Sequence, residues 1–165
     1  MDRCVILVGH GGVPTDCPPA LVSEFKRLEA AARGRMTPEL AEADRKLRAW
    51  PRTARTDPYK AGLENIAAAL ERKMGEPVLP AYNEFCAPSL QDAFADAARR
   101  GARSITVIST MYTRGGIHSE TEIPQILEEL RRAHPGVDAR YVWPFDVDAI
   151  AAFLAGEIAA PRAPR

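Results

Sequence analysis

Histidine and cysteine are both scarce in this chain, with three of each among its 165 residues. The cysteines Cys4, Cys17 and Cys86 show no Cys-x-x-Cys spacing, which argues against a disulfide framework or a thiolate zinc site and favours reduced thiols. No apolar run approaches the roughly 20 residues that span a bilayer. The first residues also lack the basic and then apolar layout of a signal peptide. We therefore expect a cytoplasmic protein with no membrane partner.

An excess of either charge is also missing, since 22 basic residues balance 22 acidic ones. This balance gives no overall attraction for nucleic acid, so an anionic ligand would have to be bound locally. The glycines form neither a Gly-x-x-x-x-Gly-Lys-Ser/Thr loop nor a Gly-x-Gly-x-x-Gly fingerprint, and no nucleotide cofactor is indicated. The length fits a single domain, which we place over residues 1–160 with a flexible tail at 161–165.

Short β-branched runs alternate regularly with helical patterns along the chain. This order predicts an α/β fold with a four-stranded, mainly parallel sheet and helices on both faces. The predicted strands cover residues 3–9, 77–85, 104–110 and 138–143, and the helices that follow the last three cover 89–100, 119–134 and 146–159.

The connection between the first and second strands is longer than a simple crossover needs. Prolines after Thr37 and after Asp57 predict that helices begin at Pro38 and at Pro58, because proline is favoured in the first helical turn. We interpret residues 13–56 as a helical insertion between the first two strands.

Two of the three histidines follow predicted strands and have glycine neighbours. His10 lies in Val-Gly-His-Gly-Gly, and His118 lies in Thr-Arg-Gly-Gly-Ile-His-Ser. Glu84 lies at the end of the second predicted strand. Because ligands bind at the carboxyl edge of a parallel sheet, the three side chains are candidate catalytic residues and ligands of an open divalent metal site. The alternatives are histidines that only pack or bond to backbone and a solvated carboxylate.

The same loops contain candidate substrate-binding residues. Ser119 and Glu122 have capping-box spacing, so we expect a helix whose first amides, with Arg114, bind a substrate carboxylate. The alternatives are that Ser119 and Glu122 only cap the helix and that Arg114 is solvated. Cys86 is predicted to be a buried thiol and His134 a surface residue at a helix end. The complete substrate-binding set is Gly11, Gly12, Thr113, Arg114, Gly115, Gly116 and Ser119.

Three motifs resemble those of the small sirohydrochlorin chelatases, the class II chelatases that work without ATP. These motifs are Val-Gly-His-Gly at residues 8–11, Glu-Phe-Cys-Ala-Pro-Ser-Leu at 84–90 and Gly-Ile-His-Ser-Glu-Thr-Glu-Ile-Pro at 116–124. The resemblance covers residues 3–12 and roughly 60–158, and the last motif is the most specific.

The resemblance implies insertion of Co²⁺ or Fe²⁺ into sirohydrochlorin or a related tetrapyrrole, in cobalamin or siroheme biosynthesis. It implies that His10 and His118 bind the metal and accept pyrrole protons, with Glu84 as their acidic partner. It also implies a homodimer, and no cofactor beyond the substrate metal, which would be Co²⁺, Fe²⁺ or Ni²⁺.

The chain departs from the family pattern at three places. Gly12 stands where a serine is common, Ala87 stands where a second acid is often found, and residues 13–56 are loosely similar to a segment of protoporphyrin ferrochelatases. We expect this insertion to act as a lid or a dimer contact. The identity of the tetrapyrrole that the protein binds is left undecided by the sequence. A carrier of metal or tetrapyrrole on the same fold is the main alternative function. A histidine phosphatase is disfavoured because Gly9 occupies the place of the arginine that would bind phosphate.

Overall fold

The computed structural model describes residues 1–161, in which a four-stranded parallel sheet lies between helices. The strand order β2-β1-β3-β4 places the first strand inside the sheet, between β2 and β3. The strands are β1 (Arg3–Gly9), β2 (Val78–Tyr82), β3 (Ser104–Ser109) and β4 (Asp138–Val142). The α-helices are α1 (Pro19–Ala32), α2 (Pro38–Arg48), α3 (Pro58–Met74), α4 (Leu90–Arg99), α5 (Ile123–Ala133) and α6 (Val147–Ala159), and a π-helix covers His118–Glu122.

The two faces of the sheet bury separate hydrophobic clusters. Helices α4 and α5 cover one face, where Ile6 and Val107 are fully buried against Phe94. Helix α3 covers the other face through Leu63, which lies in the cluster with Leu7. Because β1 is covered on both sides, its run of apolar residues is buried almost without interruption, as the sequence predicted.

Helix α6 differs from the others because none of its residues is buried. Its large apolar side chains include Val147 at 77% exposure and Ile158 at 85%. On the sheet face that α3 covers only in part, Thr106 and Ile108 of β3 also keep some exposure. No helix within residues 1–161 has both the length and the hydropathy needed to cross a membrane.

The insertion is helical, as predicted, and has its own hydrophobic cluster. Helices α1 and α2 pack around Phe25 and Leu47, and Phe85 from the loop after β2 packs against the same cluster. The Thr37 hydroxyl accepts a hydrogen bond from an amide of the first turn of α2, which confirms the predicted start of that helix. The amide of Thr15 donates to the carbonyl of Thr56 at 2.8 Å and so joins the two ends of the insertion.

One predicted boundary is wrong, and one predicted helix begins as a different type of helix. The second strand ends at Tyr82 and not at Phe85, because Phe85 has a φ of +59° that an extended strand cannot contain. The helix predicted to begin at Ser119 begins one residue earlier, as the π-helix His118–Glu122. The other predicted ends agree with the structure to within two residues, and the part of the predicted tail beyond residue 161 lies outside the described residues.

Candidate metal centre

The loops after β1 and β2 run side by side beyond the ends of their strands. The amide of Asn83 donates to the carbonyl of Gly9 at 3.0 Å, and the amide of Glu84 donates to the carbonyl of His10 at 2.8 Å. Gly11 makes this approach possible, since a Cβ atom there would lie 1.9 Å from the Glu84 carbonyl oxygen and the residue has a φ of +97°. A glycine is therefore required next to the first histidine.

His118 reaches the same edge of the sheet from the π-helix that follows β3. The amide of Ile123 donates to the carbonyl of His118, five residues earlier, which is the π-helical hydrogen bond. The His118 side chain is only 14% exposed, whereas that of His10 is 44% exposed. One imidazole is thus enclosed and the other faces an open side of the site.

The three predicted ligands come together. Glu84 lies between the imidazoles, with its Oε1 atom 3.6 Å from Nε2 of His118 and its Oε2 atom 3.9 Å from Nε2 of His10. One ligand atom from each residue lies within 4.8 Å of the other two. Ligand atoms around a tetrahedral ion lie roughly 3.4 Å apart when each bond is about 2.1 Å long. A small contraction of this cluster would therefore place all three atoms on one divalent ion.

Hydrogen bonds at the opposite ring nitrogens orient both imidazoles. Nδ1 of His10 lies 3.0 Å from the carbonyl of Gly11, and Nδ1 of His118 lies 2.7 Å from a carboxylate oxygen of Glu122. Because these oxygens only accept, each Nδ1 carries the proton, and in the neutral ring the lone pair is then on Nε2. Both lone pairs thus belong to the nitrogens that face Glu84. A hydrogen bond from the other ring nitrogen to a carbonyl or a carboxylate is the usual support for a metal-binding histidine.

The predicted substrate-binding residues fall into two groups. Gly11 and Gly12 lie in the loop after β1, whereas residues 113–116 form an exposed segment that leads to His118. In that segment Arg114 is 75% exposed and forms an ion pair with Glu120 at 3.3 Å. Arg114 is therefore accessible to a ligand, and its role in binding substrate stays a prediction.

The prediction of a capping box at Ser119 and Glu122 is wrong. The Ser119 hydroxyl is buried and donates to the carbonyl of Met111 at 3.2 Å, and no side chain caps the π-helix. Since the helix begins at His118, Glu122 is one turn away and bonds the imidazole instead of an amide. The Ser119 hydroxyl thus already has a partner, whereas the predicted contact with the substrate uses backbone amides of this helix, and that contact stays a prediction.

Sequence reasoning missed two residues that support the site. Glu122 holds His118, and their i, i+4 spacing would have indicated this contact if the helix had been extended by one residue. The Tyr59 hydroxyl accepts a hydrogen bond from the amide of His10 at 2.7 Å. The sequence contained no signal for this contact, because Tyr59 and His10 are 49 positions apart.

A cavity of about 220 Å³ lies between the insertion and Glu84. Its lining is acidic: the pKa of Glu29 is raised by partial burial first and then by the carboxylates of Glu84, Asp44 and Glu122. Repulsion among these groups favours the approach of a cation. The cavity is lined by Phe25, Glu29, Met36, Leu40, Asp44, Arg48, Asn83, Glu84 and Glu122.

The cysteine near the site is buried, as predicted. Cys86 is fully buried in the cluster under α3, and burial is the main cause that raises the pKa of its thiol. A buried, protonated thiol is a poor metal ligand, because the thiolate is the form that binds metal. His134, the third histidine, lies at the end of α5 beside Phe94 and outside the site.

Comparisons with known proteins agree with the motifs. The family model CbiX matches residues 52–157, well over half of the chain, which include Glu84 and His118 but not His10. No curated protein matches the sequence.

Solved structures with low sequence identity are also similar. The sirohydrochlorin chelatase SirB from Bacillus subtilis subspecies spizizenii, in complex with cobalt, is 14% identical with a TM-score of 0.48, over 96% of this chain and 50% of that one. SirB from Bacillus subtilis with Fe³⁺ is 15% identical with a TM-score of 0.48, over 98% and 49%. A CbiX protein assigned to cobalamin (vitamin B12) biosynthesis in Marinobacter aquaeolei VT8 is 19% identical with a TM-score of 0.46, over 94% and 97%.

The chain thus spans about half the length of the two SirB proteins and nearly all of the Marinobacter protein. The match over residues 52–157 confirms the resemblance that the motifs indicated, and the chain belongs to the CbiX family.

Proposed function

We propose that this protein inserts a divalent metal ion, Co²⁺ or Fe²⁺, into sirohydrochlorin or a related tetrapyrrole without ATP. The observation that carries the proposal is the convergence of His10, Glu84 and His118, with the two Nε2 atoms directed at one carboxylate. Membership of the CbiX family supports the same reaction. The metal is a substrate here, so a site with three protein ligands and an open side suits it, because the ion must leave for the macrocycle.

The arrangement provides acceptors for the protons that the reaction releases. A ring with two pyrrole N–H groups gives up two protons when the metal takes their place. As the ion leaves the protein, Nε2 of each histidine and the carboxylate of Glu84 become free to accept these protons. Glu122 would stabilise the protonated His118, because its carboxylate bonds to Nδ1 of that ring.

The assay for this proposal is the change in the absorbance of sirohydrochlorin after Co²⁺ or Fe²⁺ is added. The wild-type protein should accelerate metal insertion far above the uncatalysed rate, and His10→Ala or His118→Ala should abolish the acceleration. His134→Ala is the matched control, since it removes the histidine that lies outside the site. Unchanged rates in both site variants would contradict the proposal.

The choice of metal and ring is a finer question. Histidine and carboxylate ligands bind the divalent first-row metals with affinities that follow one general order. The ligand set therefore does not by itself select one ion. Comparing Co²⁺, Fe²⁺ and Ni²⁺ with sirohydrochlorin and with protoporphyrin in the same assay would identify the pair with the highest kcat/KM. Tight binding of metal and ring with no turnover would instead indicate a carrier. The biosynthetic pathway and the cytoplasmic location stay predictions from the sequence.

We also propose that two copies of the chain associate. Helix α6 leaves apolar side chains exposed, including Phe153 at 55% and Ile158 at 85%, and a surface of this kind favours association. Light scattering should give twice the monomer mass of 18.0 kDa. Phe153→Asp should give the monomer, whereas Met36→Asp, in the connection between α1 and α2, should not. A monomeric wild type would contradict the dimer.

A further inference from the structure

The loop that carries Glu84 is held by arginines of the insertion through its backbone carbonyls. We call residues 83–86 the glutamate loop. Arg48, the last residue of α2, donates from Nη2 to the carbonyl of Asn83 at 2.6 Å and from Nη1 to the carbonyl of Cys86 at 2.9 Å. Its Nε atom donates to a carboxylate oxygen of Asp44 at 2.7 Å, which fixes the orientation of the guanidinium. One arginine therefore binds both sides of Glu84.

Arg52 connects the glutamate loop to the loop that follows His10. Its guanidinium donates to the carbonyl of Phe85 and, at 2.7 Å, to the carbonyl of Gly12. It also forms an ion pair with Asp57, and both side chains are almost completely buried, at 5% and 2% exposure. A buried charge pair of this kind requires well-placed partners to offset its desolvation. Here those partners include backbone carbonyls that follow the two ligands, Gly12 after His10 and Phe85 after Glu84.

The glutamate loop needs this support because its own backbone bonding is incomplete. Phe85 has a φ of +59°, a conformation that residues other than glycine rarely adopt. The loop has left the sheet, so its carbonyls have no strand partner and must be satisfied elsewhere. Within the loop, the amide of Cys86 donates to the carbonyl of Glu84 at 2.6 Å. The carbonyls of Asn83, Phe85 and Cys86 accept from arginine.

We infer that Arg48 and Arg52 are positioning residues that fix the carboxylate of Glu84 between the two imidazoles. The inference rests on the proposed role of Glu84 as a metal ligand and extends it to the insertion. Residues 13–56 were expected to act as a lid or a dimer contact. On this view the insertion instead supports the metal site, through Arg48 at the end of α2 and Arg52 in the connection that follows this helix. Arginine suits the task because its planar fork can donate to two carbonyls at once, which a lysine ammonium cannot do in the same geometry.

The test is a titration with Co²⁺ alone, read by calorimetry and by the visible absorption of the bound ion. Arg48→Lys and Arg52→Lys keep the charge but lose the fork. Each should weaken Co²⁺ affinity by about 10- to 100-fold, the usual effect of removing support from a metal ligand. Each should also change the absorption spectrum, because the coordination geometry changes. Arg45→Lys is the matched control, since Arg45 lies on the same helix, is 68% exposed and, within residues 1–161, forms its ion pair with Glu42 alone.

A second measurement separates positioning from general stabilisation. In a Glu84→Gln background, Arg48→Lys should have little further effect on Co²⁺ affinity, because both changes act through one ligand. If Arg52→Lys does not fold, Arg48→Lys alone provides the test. The Arg48 side chain is 20% exposed, so this substitution should disturb folding less. Wild-type affinity and spectrum in the arginine variants, or fully additive losses with Glu84→Gln, would overturn the inference. A wild type that binds Co²⁺ but never inserts it would contradict the chelatase function and leave this test intact.

Discussion

The two loops that bring side chains to His10 are held in opposite ways. The glutamate loop is covered by the insertion, and three of its carbonyls accept hydrogen bonds from Arg48 and Arg52. The segment before His118, residues 112–117, is open, with Arg114 75% exposed and Ile117 63% exposed. This contrast teaches that the position of Glu84 is fixed on the closed side, by hydrogen bonds from the insertion. The open side is accessible to a large ligand, which is where we propose that the tetrapyrrole binds.

The largest effect should come from changing Gly11, because its close approach to the backbone of Glu84 joins the glutamate loop to the loop of His10. Gly11→Ala would place Cβ 1.9 Å from the Glu84 carbonyl oxygen and would also strain a φ of +97°. The loops must then separate, and we expect a loss of Co²⁺ binding together with a stability loss of at least about 2 kcal/mol. Calorimetric titration and thermal unfolding measure the two effects.

The neighbouring glycine provides the control for that change. At Gly12 a new Cβ would meet Cβ of Tyr59 at 3.7 Å, which is an ordinary van der Waals contact. Gly12→Ala should therefore keep a nearly wild-type Tm and Co²⁺ affinity. If Gly11→Ala behaved like Gly12→Ala, the close packing of the two loops would not be needed for the site.

A smaller and more selective effect should come from the open side. Arg114→Gln should raise the KM for sirohydrochlorin by about 10-fold, because a charge-assisted bond to a carboxylate is lost. The Tm should not change, since an exposed ion pair such as that with Glu120 contributes little to stability. Steady-state kinetics at saturating Co²⁺ provide the measurement. A loss of Co²⁺ affinity with an unchanged KM would mean that the open segment serves the metal and not the ring.

The sequence predicted the sheet, its order of elements and the three candidate ligands for a physical reason. A parallel sheet brings the carboxyl ends of its strands to one edge, so residues far apart in the chain can be placed together from their position alone. The contacts of Arg48 and Arg52 were not predictable, because no periodic pattern reports how an insertion packs on a distant loop. The π-helix was missed since Ser119 and Glu122 have the spacing of a capping box, whereas in the structure their side chains bond Met111 and His118 instead.

The smallest effect should come from the acidic cavity on the closed side. The pKa of Glu29 is raised, so the folded state binds its proton more tightly than the unfolded state does. Folding is therefore favoured as the pH falls through the range where this carboxyl titrates and is disfavoured above it. Glu29→Gln should slightly raise the Tm at neutral pH and lose this advantage at acidic pH. A Tm difference that grows on acidification would contradict this assignment.

Crystals of the protein grown with Co²⁺ would show directly whether the three side chains bind one ion. We expect an anomalous scattering peak within about 2.0–2.2 Å of Nε2 of His10, Nε2 of His118 and a carboxylate oxygen of Glu84, with both Nδ1 hydrogen bonds retained. A cobalt ion bound elsewhere while these three side chains stay unligated would contradict the metal centre.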